Sequence, residues 1–330
     1  MGDDHEVDLL VIGAGPVGLF AAYYSGFRGM SVAVVDSLPE LGGQITAMYP
    51  EKDILDVAGF PVVKGKDLVA GLVTQAATSD PTYLLGRTAQ TLVSDEEAGE
   101  VRVGLDDDST VTAKAVIITA GIGKFTPRPL PAASEWEGDG VAFFVPSFAE
   151  YAGKDVVIVG GGDSAFDWCI ALEPVASSVT LVHRRDAFRA HQRTVDQVMG
   201  STVTVLTNSN VAKLVSGPDG ALESVEVEHV KTKEVTTLKC QAVVAALGFV
   251  ADLGPIQQWG IEVQKRHVVV DSTTRTNLPR VFAAGDITEY PGKVRLIAVG
   301  FGEAATAVNN AAVAINPEAH LFPGHSSEGS

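Results

Sequence analysis

The stretch from Val7 to Asp36 constrains the fold of this chain more than any other part of the sequence. A short apolar run at 7–12 leads into a Gly-x-Gly-x-x-Gly turn at 13–18, then a segment of helical character, then a second apolar run ending at Asp36. A strand, a glycine turn, a helix and a strand ending at an acid form the βαβ unit that binds dinucleotides. We therefore predict such a unit here, with an ordinary α/β turn as the alternative.

Each glycine of this turn is expected for a mechanical reason. Gly13 permits a tight turn, Gly15 lets a pyrophosphate approach the backbone, and Gly18 lets the helix pack closely on the strand. The pyrophosphate then lies at the helix N-terminus, where free N–H groups point at it. Asp36 stands where a carboxylate can accept hydrogen bonds from a ribose.

A second unit of the same kind begins with the apolar run 156–159. Its turn reads Gly-x-Gly-x-x-Ala at 160–165. The pattern then predicts a helix from Phe166 to Glu173 and a further strand at 179–182. The chain therefore carries two dinucleotide-binding patterns in the same structural context.

The two units differ in the residues that follow their second strand. Where the first has Asp36, the second has His183-Arg184-Arg185, with Arg189 one turn further on. An acid at this point suits a free ribose hydroxyl, whereas arginines form bidentate hydrogen bonds with a 2′-phosphate. The opposite charges predict FAD in the first unit and NADPH in the second. A solvated basic helix start is the alternative interpretation of the arginines.

The predicted fold class is α/β, with two Rossmann-like, three-layer nucleotide-binding domains, the second inserted into the first. A length of 330 residues, of which 46% are hydrophobic, suits about two domains. Buried strands that end at glycine, 115–121 and 241–248, mark the places where the chain crosses between domains. We predict an FAD-binding domain from 1–123 and 249–330, and an NADPH-binding domain at 124–248.

Composition argues against several classes of partner and site. The net charge of −17 argues against nucleic acid or an anionic membrane surface. The N-terminus has no signal-peptide pattern, and no apolar run approaches the roughly 18 residues of a membrane span. Cys169 and Cys240 lie far apart, which excludes a disulfide framework and suits the cytoplasm. No cysteine–histidine cluster predicts a metal, and no motif predicts a catalytic serine.

Ordered motifs along nearly the whole chain resemble a known family. Both glycine turns, His183-Arg184-Arg185 and Ala284-Gly285-Asp286 resemble the low-molecular-weight thioredoxin reductases. A more specific resemblance, to the thioredoxin-reductase-type ferredoxin–NADP reductases, extends from the first domain to the C-terminal tail. The segments that carry it are Leu41-Gly42-Gly43-Gln44, Tyr49-Pro50-Glu51-Lys52, Asp56-Val57-Ala58-Gly59-Phe60-Pro61, Phe188-Arg189-Ala190-His191, Gly300-Phe301-Gly302-Glu303-Ala304 and His325-Ser326.

One absence separates the two groups. Thioredoxin reductases place a Cys-x-x-Cys just before the second glycine turn, and the corresponding stretch here, 141–154, has no cysteine. Neither Cys169 nor Cys240 can form the vicinal pair that relays electrons to a protein disulfide. We interpret both as buried structural residues.

The resemblance implies a role for individual residues. It implies that Gln44 and Asp286 bind the flavin or its ribityl chain, and that Tyr49 and His325 stack on opposite flavin faces. A core aromatic is the alternative for Tyr49, and a disordered tail is the alternative for His325. The implied FAD contacts are Gly13, Gly15, Pro16, Gly18, Asp36, Gly43, Gln44, Tyr49, Ala89, Phe125, Gly285, Asp286, His325 and Ser327. The implied NADPH contacts are Gly160, Gly162, Asp163, Ser164, Ala165, His183, Arg184, Arg185 and Arg189.

The resemblance further implies a homodimeric enzyme that passes electrons from NADPH through FAD to ferredoxin or flavodoxin, without acid–base catalysis by the chain. Two alternatives stay open: a reductase of a small acceptor such as a ferric chelate or quinone, and a redox sensor that binds nucleotide without turnover. Because ferredoxins are usually acidic, like charges would slow their encounter with this chain unless a basic patch exists. We interpret Lys293 and Arg295 as residues of an ordinary solvated loop, with part of a basic patch as the alternative.

Overall fold

The computed structural model describes residues 4–324, which divide into two compact units. Within those residues, the first unit comprises 4–47, 53–124 and 251–324, and the second comprises 48–52 and 125–250. The α/β class predicted from the sequence is confirmed, and each unit contains a sheet whose central strands are parallel. The structure differs from the predicted division at 48–52, which groups with the second unit.

Strands and α-helices follow in this order along the chain. Up to the first crossing they are β1 (His5–Ile12), α1 (Pro16–Phe27), β2 (Val32–Asp36), α2 (Gln44–Met48), β3 (Asp53–Ile54), β4 (Val63–Lys64), α3 (Gly65–Ala77), β5 (Thr82–Leu85), β6 (Ala89–Asp95), β7 (Glu100–Leu105) and β8 (Thr110–Ile118). Up to the second crossing they are β9 (Lys124–Pro127), β10 (Val141–Ala142), β11 (Asp155–Gly160), α4 (Asp163–Leu172), β12 (Ser178–Val182), α5 (Gln192–Met199), β13 (Thr204–Leu206), β14 (Ser209–Ser216), β15 (Leu222–His229), β16 (Val235–Lys239) and β17 (Ala242–Ala246). The remainder are β18 (Phe249–Asp252), β19 (Val263–Gln264), β20 (His267–Val269), β21 (Val281–Ala283), β22 (Thr288–Glu289) and α6 (Ile297–Ile315).

The main sheet of the first unit has the strand order β5-β2-β1-β8-β7-β6, with β21 also paired to β8. Strand β1 runs parallel to both neighbours, so that Leu10 lies opposite Ala33 and Val116. Strand β8 pairs antiparallel with β7 through its first half and parallel with β21 through its second half. Because β1, β2, β8 and β21 are mutually parallel, their carboxyl ends meet at one edge, which we call the first edge. The residues that follow these strands meet there.

The second unit is built around a parallel sheet of order β10-β17-β11-β12-β13. An antiparallel three-stranded sheet, β14-β15-β16, accompanies it. The central strands are buried on both faces, which explains why they read as continuous apolar runs. The carboxyl ends of β11 and β12 form a second edge, and Gly160 and His183 lie there.

Candidate nucleotide-binding sites

The first glycine turn lies at the first edge, directly after β1. Gly13 has a φ of +116°, and a Cβ there would lie 2.6 Å from the carbonyl oxygen of Thr119. A Cβ on Gly18 would overlap the Gly13 carbonyl oxygen, so α1 packs directly on the turn. A Cβ on Gly15 would instead meet no protein atom within 4 Å, and Pro16 opens α1 beside it. The turn is therefore open where a pyrophosphate would approach the helix N-terminus.

Asp36 ends β2, and backbone groups already bind its carboxylate. Oδ2 accepts a hydrogen bond from the Ala14 N–H at 2.6 Å, and Oδ1 accepts one from the Leu38 N–H at 2.8 Å. Burial raises the pKa of Asp36, and these two hydrogen bonds oppose the rise. Because each carboxylate oxygen can accept a second hydrogen bond, Asp36 can bind a ribose hydroxyl while it ties β2 to the glycine turn.

Three further predicted FAD contacts lie in the first unit. A Cβ on Gly43 would lie 2.9 Å from Gly15 Cα, so Gly43 packs against the glycine turn. Gln44 begins α2, and its Nε2 would lie 3.1 Å from a Cβ on Gly121, just after β8. Ala89 starts β6 with its side chain buried in the apolar core, which leaves only its backbone for a ligand.

Gly285 and Asp286 follow β21 at the first edge. Gly285 is buried with a φ of +85°, whereas Asp286 is half-buried. Burial raises the pKa of the Asp286 carboxyl, and the positive charges of Lys293 and Arg295 oppose that rise. Among residues 4–324, no group donates a hydrogen bond to the Asp286 carboxylate. Its oxygens are available to hydroxyl groups of a ligand.

Two predicted flavin contacts lie in the second unit. Tyr49 is half-buried and packs against an apolar core cluster of that unit. The Phe125 ring packs edge-on against two other phenylalanine rings, at centroid distances of 6.2 and 6.0 Å. His325 and Ser327 lie outside the described residues. Flavin contact by these four residues stays a prediction.

The second glycine turn repeats the arrangement of the first. A Cβ on Gly160 would lie 2.5 Å from the carbonyl oxygen of Ala246 and 2.9 Å from the Cβ of Ala165. A Cβ on Gly162 would meet no protein atom within 4 Å, as at Gly15. In both units the second glycine therefore faces open space in front of a helix.

Two hydrogen bonds fasten the arginine-bearing loop, 183–191, to this turn. The Arg189 N–H donates to the Gly161 carbonyl oxygen at 2.8 Å, and the His191 N–H donates to Asp163 Oδ1 at 2.8 Å. Asp163, predicted as an NADPH contact, thus also positions the loop. Its neighbour Ser164 is exposed in the first turn of α4.

His183 packs onto the turn. A Cβ on Gly161 would overlap the His183 ring, whose centroid lies 5.4 Å from that of Phe188. Burial lowers the pKa of His183, and the charges of Arg184 and Arg185 add to the lowering. The imidazole is therefore neutral near pH 7 and contributes packing rather than positive charge.

The three predicted arginines are exposed beside the second turn. No acid among the described residues forms a salt bridge with Arg184, Arg185 or Arg189. Unpaired guanidinium groups readily form bidentate hydrogen bonds with a phosphate. The residues present therefore fit a dinucleotide with free ribose hydroxyls in the first unit and one with a 2′-phosphate in the second.

The two cysteines belong to different core clusters of the second unit. Cys169 and Cys240 are buried and are not joined by a disulfide. Burial raises the pKa of each thiol to about 12. Neither has the exposed, low-pKa character of a redox-active cysteine.

For Lys293, both sequence-based interpretations, the solvated loop and the exposed basic patch, are wrong. Its side chain is 1% exposed and lies 2.5 Å from Glu303 Oε1, while Arg295 pairs with Glu289 at 2.7 Å. A charged side chain is rarely buried without a partner. The sequence signal for a buried partner of Lys293 was Glu303, which is the single charged residue of helix α6.

Metal sites and membrane-spanning helices are absent from the part of the chain that the structure describes. Across residues 4–324, no group of three or more histidines, cysteines or acids could hold a metal ion. None of the helices described is both long enough and apolar enough to cross a membrane.

Comparison with known proteins places this geometry in a family. The profile described as pyridine nucleotide-disulphide oxidoreductase matches residues 7–311. A Nocardioides sp. relative named ferredoxin–NADP reductase is 73% identical over 98% of both chains. A Saccharopolyspora erythraea relative with the same name is 63% identical over 98% of this chain and 97% of its own. The solved T. acidophilum thioredoxin reductase matches with a TM-score of 0.77 and 25% identity, covering 94% of this chain and 98% of its own. The chain therefore belongs to the pyridine nucleotide-disulphide oxidoreductase family.

Proposed function

We propose that this protein is a ferredoxin–NADP reductase, an oxidoreductase that uses FAD to pass electrons between NADPH and ferredoxin. The observation that carries the proposal is the pair of open glycine turns. In the first unit an acid lies beside the turn, and in the second unit unpaired arginines lie beside it. The two buried, separate cysteines argue against a disulfide as the electron acceptor. Identity of 73% with a relative of that name, across nearly both chains, supports ferredoxin as the partner.

FAD, when bound, supplies the conversion between a hydride from NADPH and single electrons for ferredoxin. The chain binds and orients the two nucleotides. In the first unit, the glycine turn holds the pyrophosphate, Asp36 the adenosine ribose, and Gln44 and Asp286 the flavin end. In the second, Arg184 and Arg189 hold the 2′-phosphate. The reaction needs no general acid, nucleophile or metal ion from the chain.

A reductase of small acceptors, such as a ferric chelate or a quinone, would use the same nucleotide sites. The distinguishing experiment is to reduce the protein with NADPH and mix it, by stopped flow, with each acceptor separately. We expect ferredoxin to reoxidise the flavin fastest at equal concentration. Faster reoxidation by either small acceptor would contradict the proposal. A sensor without turnover is excluded if NADPH bleaches the yellow flavin.

We further propose that flavodoxin is an alternative acceptor, that the protein is a homodimer and that it works in the cytoplasm. Support comes from the resemblance in motifs, and from two free buried thiols that suit a reducing compartment. Light scattering after gel filtration tests the dimer. We expect twice the chain mass of 34.5 kDa, and the single chain mass would contradict it.

A further inference from the structure

A buried ion pair lies next to the predicted flavin-binding turn. Lys293 Nζ lies 2.5 Å from Glu303 Oε1, and the two side chains are 1% and 8% exposed. The Tyr290 hydroxyl donates to the same carboxylate oxygen at 2.5 Å. Lys293 precedes α6 and Glu303 lies within it, so the pair joins that helix to the segment before it.

Both members of the pair also bind the peptide groups of Gly285. The Gly285 N–H donates to Glu303 Oε2 at 2.7 Å, and Lys293 Nζ donates to the Gly285 carbonyl oxygen at 2.9 Å. That carbonyl oxygen also accepts from the Thr288 hydroxyl at 2.8 Å. The N–H and the carbonyl of the residue before Asp286 are thus both fixed by buried charges.

Gly285 also packs against the start of α1, next to the glycine turn of the first unit. A Cβ on Gly285 would lie 3.2 Å from Val17 in the first turn of α1. A Cβ on Gly300 in α6 would lie 2.5 Å from Val17 and 3.3 Å from Gly285 Cα. The turn at Gly285, the start of α1 and helix α6 are therefore in direct contact. A shift of Gly285 would displace Asp286 relative to the open position at Gly15.

We propose that Lys293 and Glu303 are positioning residues that hold the Asp286 carboxylate in the geometry that FAD requires. The inference rests on the proposed function, since it assumes that the first unit binds FAD. Because no described group donates a hydrogen bond to the Asp286 carboxylate, its placement depends on the backbone that the ion pair fixes. A purely stabilising role is the competing explanation.

The test uses a variant that keeps the buried region neutral. Removing one partner leaves an unpaired buried charge, whereas replacing both with apolar residues is often neutral for stability. We therefore choose the double variant Lys293→Met/Glu303→Leu of the full chain. The matched control is Lys114→Met, which breaks the exposed 2.7 Å pair with Asp8 in the same unit. The measurements are far-UV circular dichroism, the visible circular dichroism of bound flavin, and the FAD dissociation constant by fluorescence.

We expect the double variant to keep the far-UV spectrum, to change the visible spectrum of the bound flavin, and to bind FAD about tenfold more weakly or worse. The control should match the wild type in all three. Wild-type affinity together with a wild-type flavin spectrum in the double variant would overturn the inference.

A second variant, Lys293→Met/Glu303→Gln, keeps an acceptor for the Gly285 N–H and should recover part of the FAD affinity. Equal loss in both variants, together with an altered far-UV spectrum, would show a structural role only and would also overturn the inference. A wild-type protein that takes up no FAD would instead overturn the proposed function and, with it, this inference.

Discussion

At the residue scale, the chemistry of this protein depends on charged side chains, some exposed and unpaired and others buried in an ion pair. Arg184 and Arg189 follow a recognisable strand–turn–helix–strand pattern, and this local pattern is enough to place them at a sheet edge. The structure leaves both exposed and unpaired in the described region. Lys293 has no such pattern, and its partner Glu303 is defined only when α6 packs on the sheet. The sequence therefore placed Arg184 and Arg189 correctly at a sheet edge and misplaced Lys293.

We predict that Arg184→Ala/Arg189→Ala loses most affinity for NADPH and little for NADH. Each charge-assisted hydrogen bond to the 2′-phosphate should account for about 10- to 100-fold in affinity. Titration with both nucleotides measures the effect, and Lys213→Ala, an exposed cation of the same unit, is the control. Equal losses for NADPH and NADH would show that these arginines do not bind the 2′-phosphate.

Secondary-structure elements are predicted best where periodicity and turn residues agree. The strand and turn at 7–18 match β1 and the start of α1, because an apolar run and its glycines define both ends. The start of α6 at Ile297 is harder to predict from the sequence. Its first turn contains no acid and no side-chain cap, which are the usual signals of a helix start. The hydrogen bond from the His191 N–H to Asp163 joins α4 to the loop at 183–191. It could not be predicted, because it depends on how two separate elements pack.

We predict that Asp163→Ala raises the KM for NADPH about 2- to 10-fold, which is the range for the net contribution of one typical hydrogen bond. The reason is that the His191 N–H loses its acceptor and the loop at 183–191 loosens. The turnover number at saturating NADPH should change little. Asp163→Asn keeps an acceptor and should restore a KM near the wild type. An unchanged KM in the Ala variant would show that the hydrogen bond does not position the arginines.

The whole molecule combines two nucleotide-binding units whose order along the chain is predictable from paired motifs. The predicted division differs from the compact units at 48–52, which group with the second unit, where Lys52 forms a 2.6 Å ion pair with Asp167 of α4. A pairing between residues so distant in sequence has no local signature. The resemblance in motifs locates candidate flavin contacts, yet Tyr49 and Phe125 pack within the second unit.

We predict that stability falls as pH rises from about 9 towards 12. The pKa of Cys169 and that of Cys240 are each raised from 9.0 to about 12 by burial. Above pH 9 the unfolded chain loses these protons while the native chain keeps them, so the native state binds more protons and its relative stability declines. Urea unfolding at several pH values measures this slope. Cys169→Ala/Cys240→Ala should flatten it, and an unchanged slope would contradict the assignment.

Electron transfer from NADPH to ferredoxin by this chain is measured by a cytochrome c assay. The rate of NADPH-dependent cytochrome c reduction by the purified yellow protein is measured with increasing ferredoxin. We predict a rate that rises steeply and saturates with ferredoxin, with NADH a much poorer donor. A rate that is the same with and without ferredoxin would show that ferredoxin does not accept electrons from this protein.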